Sequence, residues 1–336
     1  MNDTCMTNRR RLVASIGATA VMSVAAPSLL RAQSKRTIRL AHHLPIQSEQ
    51  HAAAENFARK VAGASKGAIT IQILPASQMG GQREIIESVS IGTLDMGFGE
   101  SGLYANYVPE FGVVALPYLY RDFDHWKKTV DGEVGASLAA SLEKTANIKI
   151  VNWMVTGYRY TYLRGKPITQ PGDFKGLKVR LPEAPVFVKT FAALGAIPTP
   201  IPAPEMYAAL QTGVVDAMEG TAEAAYTFKI YDVTKYLSMT RHILLDGSFA
   251  ISNSLFAKLT KPEQELILKA AQDAAVEQRA QHFEREKAAL AKLTGEGKMQ
   301  VNEPDLKPFV DALASVQNDF ATASKGMDVL GRIRKL

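Results

Sequence analysis

Two arginines stand where an anion could be held. In Gly176-Leu177-Lys178-Val179-Arg180-Leu181-Pro182, a period of two puts Leu177, Val179 and Leu181 on one face of a strand and Lys178 and Arg180 on the other. An Arg in a short strand that ends at a Pro lies at the strand's carboxyl edge, where open α/β sheets place ligands. Its planar guanidinium can grip a carboxylate through two parallel hydrogen bonds. Arg159, flanked by Tyr158 and Tyr160, allows the same reading. Taken alone, each is also what a surface ion pair would use.

Other patterns carry less. Gly97-Phe98-Gly99-Glu100-Ser101-Gly102 matches G-x-G-x-x-G, whose backbone can meet a pyrophosphate only between a hydrophobic strand and a helix. A weak strand, Leu94–Phe98, precedes it, but Leu103–Val108 running into Pro109 is a poor helix opening. His42-His43 could suggest a metal, yet adjacent strand residues point to opposite faces and cannot easily share one ion. One of the two could face a cleft as a hydrogen-bonding group; a satisfied core histidine fits as well. H-E-x-x-H and cysteine clusters are missing, and Gly99-Glu100-Ser101-Gly102 lacks the G-x-S-x-G spacing of a nucleophile elbow. No catalytic residue, metal or cofactor is expected.

The elements that would position these residues alternate between strand and helix, which points to an α/β architecture. Ile38 and Leu40 mark a strand over Thr37–His42; Ala53, Ala54, Phe57, Ala58 and Val61 then share a helix face. Ile69, Ile71 and Ile73 form a second strand. A helix runs from Gly80-Gly81 through Ile85, Ile86 and Val89 to Gly92. Such a βαβα start builds a parallel sheet. Ile148–Val155 reads as a strand, and prolines crowd the stretch from Pro167 to Pro204, so a domain change is placed near residue 156. Short strands at Leu177–Leu181 and Val214–Met218 flank helical stretches at Val186–Leu194 and Met206–Gln211. Ala250–Ser252 reads as a strand returning to the first domain. From Thr260, which can cap, a helix pattern runs to Gly295. It is long enough to brace two domains, or to kink near Gln278.

The chain's 336 residues hold 39 Lys+Arg, 33 Asp+Glu, 46% hydrophobic residues and one Cys. That is ample for two cores and excludes a disordered chain or a disulfide scaffold. Residues 1–32 read as an export signal: Asn8-Arg9-Arg10-Arg11 is basic, Leu12–Ala26 is apolar, and Ala32 precedes a plausible cut at Gln33. The Arg9-Arg10 pair favours the twin-arginine route over an ordinary secretory one. The segment takes Cys5, four Arg and one Asp with it, so 35 basic and 32 acidic residues remain. A balance of +3 gives no case for a nucleic-acid partner.

In combination the motifs resemble the solute-binding proteins of tripartite ATP-independent periplasmic (TRAP) transporters. The likeness begins at Ile38-Arg39-Leu40-Ala41-His42-His43. It continues through Leu74-Pro75-Ala76-Ser77-Gln78-Met79-Gly80-Gly81, Gly92-Thr93-Leu94-Asp95-Met96, Leu116-Pro117-Tyr118 and the strand that holds Arg180. Its most specific piece is Glu205–Asp216, EMYAALQTGVVD. The resemblance implies a two-domain, periplasmic-binding-protein-like α/β fold with crossing strands and a long bridging helix, closing on a small organic acid. Domain I would comprise residues 33–156 plus about 245–284, and domain II residues 157–244 plus about 285–320, leaving 321–336 as a C-terminal tail. It also implies that Arg180 pairs with the ligand carboxylate, that Arg159 contacts the same group, and that Glu100, His43, Gln82 and Glu219 line the cleft. Where the family commonly has Asn-Pro after the Glu at position 219, this chain has Gly220-Thr221. With Ala203, this predicts a roomier pocket suited to a bulkier monocarboxylate, such as an aromatic, keto or sugar acid. The implied partners are that acid and the membrane subunits of a TRAP permease in the periplasm, with the protein a monomer or a homodimer. Two alternatives stay open: an exported nucleotide-dependent oxidoreductase, and a ligand-binding sensor component.

Overall fold

The computed structural model describes residues 35–296 and 298–336; the expected export signal lies outside the described residues. The chain opens with β1 (Arg36–Ala41), α1 (Glu49–Ala64), β2 (Ile69–Leu74), α2 (Gln82–Ser90) and β3 (Met96–Gly99), the expected parallel start. Ser48 caps α1, its hydroxyl accepting from the His51 N–H at 3.1 Å. The apolar face Ala53, Ala54, Phe57 and Val61 is buried. After α3 (Ser101–Tyr104) come α4 (Phe123–Asp131), α5 (Glu133–Ala146) and β4 (Ile148–Ile150). The sequence placed one strand over Ile148–Val155. The chain instead breaks there and resumes as β5 (Met154–Tyr158) and β6 (Tyr160–Leu163), separated only by Arg159.

A second α/β half follows: β7 (Lys178–Leu181), α6 (Pro185–Ala193), β8 (Ile197–Pro200), α7 (Met206–Thr212), β9 (Ala217–Gly220), α8 (Ala222–Thr227) and β10 (Tyr236–Ser238). The chain returns through β11 (Leu244–Ser252), α9 (Asn253–Phe256) and α10 (Lys261–Gly295), and ends in β12 (Gln300–Asn302), α11 (Lys307–Ala323) and α12 (Met327–Arg334). The first six-stranded sheet runs β2-β1-β3-β11-β4, with β5 also paired to β11. The second runs β12-β10-β6-β9-β7-β8. The fold is thus two α/β domains joined by two crossing connections, β5 to β6 and β10 to β11. They are stitched together at the crossing: the Arg159 N–H donates to the Ile243 carbonyl at 2.8 Å, and the His242 N–H to the Arg159 carbonyl at 3.3 Å.

The third connection is α10, 35 residues long. At 1.5 Å per residue it reaches about 50 Å. Thr260 and Glu263 form a capping box at its start, as the threonine and the following Pro262 led us to expect. The helix runs unbroken through Gln278, and its buried stripe changes character along its length. Ile267, Ala270, Ala271, Ala274 and Ala275 enter the core of the first domain; Ala289 and Leu293 enter that of the second. Between them the buried residues are polar: Gln278, Arg279, His282 and Glu286. Each has a partner. The Gln278 amide donates to the Val155 carbonyl and to Glu49 Oε1, both at 2.8 Å. Arg279 forks onto Asp131 at 2.8 and 2.9 Å. His282 Nδ1 lies 2.9 Å from Glu49 Oε2, and the Tyr160 hydroxyl donates to Glu286 at 2.7 Å. Gly157, at φ +112°, lets this waist meet β5, since a Cβ there would lie 2.8 Å from His282 Nε2.

The glycines of the G-x-G-x-x-G string serve packing. A Cβ on Gly97 would lie 2.7 Å from Ile85 Cγ2 in α2, one on Gly99 would meet the Tyr104 hydroxyl at 2.5 Å, and one on Gly102 would meet the Phe187 ring at 2.7 Å. They bring β3 against its helices, and the space a phosphate would need is filled. Gly97→Ala is therefore expected to destabilise the protein by about 1–3 kcal/mol, the usual range for an overpacked core. Denaturant unfolding would measure it, and an unchanged midpoint would contradict the packing role.

Candidate functional site

Parallel strands end together, and loops and helix starts gather at their carboxyl edges. In the first domain that edge supplies His43 after β1, Gln82 at the start of α2 and Glu100 after β3; in the second it supplies Arg180 at the end of β7. Glu219 and Gly220 close β9, and Arg159 comes from the crossing itself. All seven residues proposed from the sequence line one cavity between the domains. Two contacts link the domains beside it: the Glu49 N–H donates to Glu223 Oε1 at 2.7 Å, and Arg83 faces Glu183 at 3.6 Å.

The two arginines differ in what they already hold. Arg159 is 5% exposed and lies with its guanidinium carbon 5.0 Å from the centre of the Phe187 ring. Its Nε and Nη2 both donate to the Glu219 carboxylate, Nη2 at 2.7 Å. Arg180, 4% exposed, donates its Nε to the Ile201 carbonyl at 2.8 Å. Among the described residues it has no carboxylate partner. Burial lowers its pKa to about 10, against the opposing pull of Glu219. A buried guanidinium without a counter-ion is costly, and its free terminal nitrogens face the cavity.

Glu219 is fully buried. Burial alone would push its pKa up, but Arg159 and then His242, whose Nε2 lies 3.2 Å from Glu219 Oε2, outweigh it and bring it to about 2. His242 is itself held by Thr240, Nδ1 to Oγ1 at 2.9 Å, and burial lowers its pKa despite the carboxylate. One carboxylate thus grips a residue from each crossing connection.

Glu100 makes no ion pair among the described residues although it shares the cavity with both arginines. Burial first, and Glu219 and Asp246 after it, raise its pKa to about 7 against the pull of Arg159 and Arg180. His43 is neutral, its pKa brought to about 3 by burial, His42 and Arg180. His43 Nδ1, Gln50 Oε1 and Gln82 Nε2, on residues that line the cavity, are buried without partners among the described residues. The space expected beside Gly220 is partly taken, because a Cβ there would lie 2.9 Å from Met218 Cε.

Sequence reasoning missed Gln50 and Glu223, which also line the cavity. Both follow a cap by two residues, Ser48 for α1 and Thr221 for α8. That shared placement in a helix's first turn, at a strand's carboxyl edge, was the available signal. It also missed the Phe187 platform and the His242 contact, which join residues far apart in the chain.

The fold and site together define a two-domain binding protein with a cavity for a small molecule between its domains. Residues 40–323 match the family described as bacterial extracellular solute-binding protein, family 7, and the chain belongs to it, the solute-binding proteins of TRAP transporters. It is 30% identical over 320 residues to the 2,3-diketo-L-gulonate-binding periplasmic protein YiaO of Escherichia coli, covering 95% of this chain and 94% of that one. A TRAP periplasmic solute-binding protein from Polaromonas, solved with D-erythronate, superposes with a TM-score of 0.85 at 31% identity, over 89% and 98% of the two chains. One from Bradyrhizobium, solved with D-galacturonate, gives 0.86 at 31% identity, over 90% and 100%. Among the described residues no helix is long and apolar enough to cross a membrane.

Breaking a buried ion pair by removing one partner's charge costs about 3–5 kcal/mol, so Glu219→Gln is expected to lower the melting temperature markedly at pH 7. Because the carboxyl's pKa is depressed to about 2, its stabilisation is present above its ordinary value near 4.5 and is lost as pH falls toward 2. Wild type and variant should therefore converge in acid. Parallel melting curves down to pH 2.5 would refute the pairing.

Proposed function

We propose that this protein captures a small hydroxylated organic acid, a sugar acid in preference to an aromatic one, and delivers it to a TRAP permease. The observation that carries the reading is Arg180: a buried guanidinium, unpaired among the described residues, aimed into a cavity with unsatisfied polar atoms. A ligand carboxylate supplies its missing counter-charge, and His43, Gln50 and Gln82 offer hydrogen bonds to ligand hydroxyls. Relatives solved with D-erythronate and D-galacturonate support the class. Arg159 touches the same carboxylate through the nitrogen that Glu219 leaves free.

In this reading the two domains, residues 33–156 plus about 245–284 and 157–244 plus about 285–320, swing about the crossing at Arg159. The acid draws them together, and its release reopens them. Residues 1–32 direct export to the periplasm, with cleavage near Ala32. The ligand carries one carboxylate, because the cavity has one unpaired guanidinium to receive it. The protein itself performs no chemistry on the acid.

The test is calorimetry of the chain lacking residues 1–32 against D-galacturonate, D-glucuronate, D-erythronate, succinate and benzoate. A sugar acid is expected to bind, and benzoate is not. Truncating one member of a buried charge pair costs about 2–5 kcal/mol, so Arg180→Ala should weaken binding roughly 30- to 5,000-fold while circular dichroism stays unchanged. Tight binding that survives in the variant would move the site elsewhere.

A further inference from the structure

Glu100 is a carboxyl group without a counter-ion in a cavity that holds two guanidinium groups. Arg159 spends its fork on Glu219, and Arg180 gives its Nε to a backbone carbonyl. The charged and titratable groups around Glu100 come from every wall: Arg159 from the crossing, Arg180 from β7, Glu219 from β9, Asp246 from β11, Tyr104 from α3 and His43 after β1, with Glu183 before α6 and Glu223 in α8 lining the same cavity. The histidine is neutral. Asp246 accepts the Ser101 N–H at 3.2 Å and lies behind the cavity. Glu219 already neutralises Arg159, so Arg180 alone offers a positive charge to two carboxylates, the incoming acid's and that of Glu100. An incoming carboxylate and an ionised Glu100 would then share one buried space as like charges, an arrangement that favours protonating one of them.

We propose that Glu100 takes up a proton when the acid binds, and in its neutral form donates a hydrogen bond to the bound molecule. The proposal rests on the reading of Arg180 as the carboxylate receptor. The stoichiometry is simple: protein, acid anion and one proton give the closed complex, the proton coming from solvent and residing on the Glu100 carboxyl. In the empty protein the group is poised for this, since burial has already brought its pKa to about 7. Affinity therefore falls as pH rises above 7, approaching about tenfold per pH unit for a one-proton event. Glu100 acts as a specificity-determining residue, because a neutral carboxyl can donate to an acceptor on the ligand where a carboxylate can only accept.

Two measurements test this, one without any ligand. A carboxyl whose folded-state pKa is raised contributes stability below its ordinary value near 4.5, and that stability is lost as pH rises through 7. The melting-temperature difference of Glu100→Gln over wild type should thus widen by several degrees between pH 5 and pH 8. A constant difference would overturn the proposal. The second is calorimetry with D-galacturonate at pH 8, in phosphate and in Tris, whose ionisation heats differ. Wild type should take up close to one proton per acid bound. Glu100→Gln should bind with no buffer dependence and with an affinity flat from pH 6.5 to 8.5. Glu223, whose pKa burial also raises to about 7, is the competing source of the proton. If uptake vanishes in Glu223→Gln and persists in Glu100→Gln, the assignment to Glu100 is wrong. If neither D-galacturonate nor D-erythronate binds wild type, the carboxylate-receptor reading fails, while the melting comparison still decides the state of Glu100.

Discussion

The structure turns on one buried carboxylate. Glu219 ends a strand of the second domain, yet it grips Arg159 from one crossing connection and His242 from the other. Those connections also bond to each other through backbone groups beside the same two side chains. A flexible joint would leave such polar groups to water; here they are buried, where a charge is costly unless it is paired. The carboxylate therefore fixes where the strands cross and, through Arg159, where one wall of the cavity stands. The ring of Phe187 beneath Arg159 limits the guanidinium further. A change in the cavity at Arg159 is a change at the joint.

The long helix imposes the complementary constraint. Its two ends belong to different cores, so its middle must pass the boundary between domains. Elsewhere one apolar cluster does cross between the domains, from Ile85 and Ile86 in α2 to Val179 in β7 and Phe187 in α6, but on the side of the long helix no apolar stripe continues. Gln278, His282 and Glu286 replace it with directional bonds to Glu49, Val155 and Tyr160. Such bonds hold a defined geometry and can be exchanged for bonds to water, as the proposed opening of the cleft would require. The Glu49 N–H to Glu223 contact belongs to this layer and lies beside the cavity.

Much of this was legible in the sequence where a periodic pattern met a punctuating residue. Alternating apolar residues gave β1 and β2, and Thr260, Pro262 and Gly295 bounded the long helix to within a residue. The strand of Arg180, ending at Pro182, was placed correctly for the same reason. Boundaries failed where burial erased periodicity. β11 is buried along all nine residues, so only Ala250–Ser252 stood out, and the start of β9 was read three residues early. The site's residue types were readable because arginine and glutamate at strand ends are locally conspicuous. Their partnerships were not: whether Arg159 or Arg180 is free depends on Glu219 and Ile201, which are distant in sequence. A pattern can nominate a cation but cannot say which cation is already neutralised.

The same distinction bears on ligand shape. Gly220 in place of an amide side chain first argues for apolar room, since it removes a donor and an acceptor. In the folded protein the Met218 methyl occupies part of that room, so the substitution trades a polar contact for a thioether and not for open space. The unsatisfied atoms lie on the opposite wall, at His43 Nδ1, Gln50 Oε1 and Gln82 Nε2. Each is a buried group whose unmet bond costs about 1–3 kcal/mol, a cost that a ligand reaching it would relieve. An aromatic acid can satisfy the guanidinium but not these atoms, whereas a polyhydroxylated acid can meet both sets. Under the sugar-acid proposal, discrimination between acids rests on this polar wall more than on the loss of a side chain at Gly220.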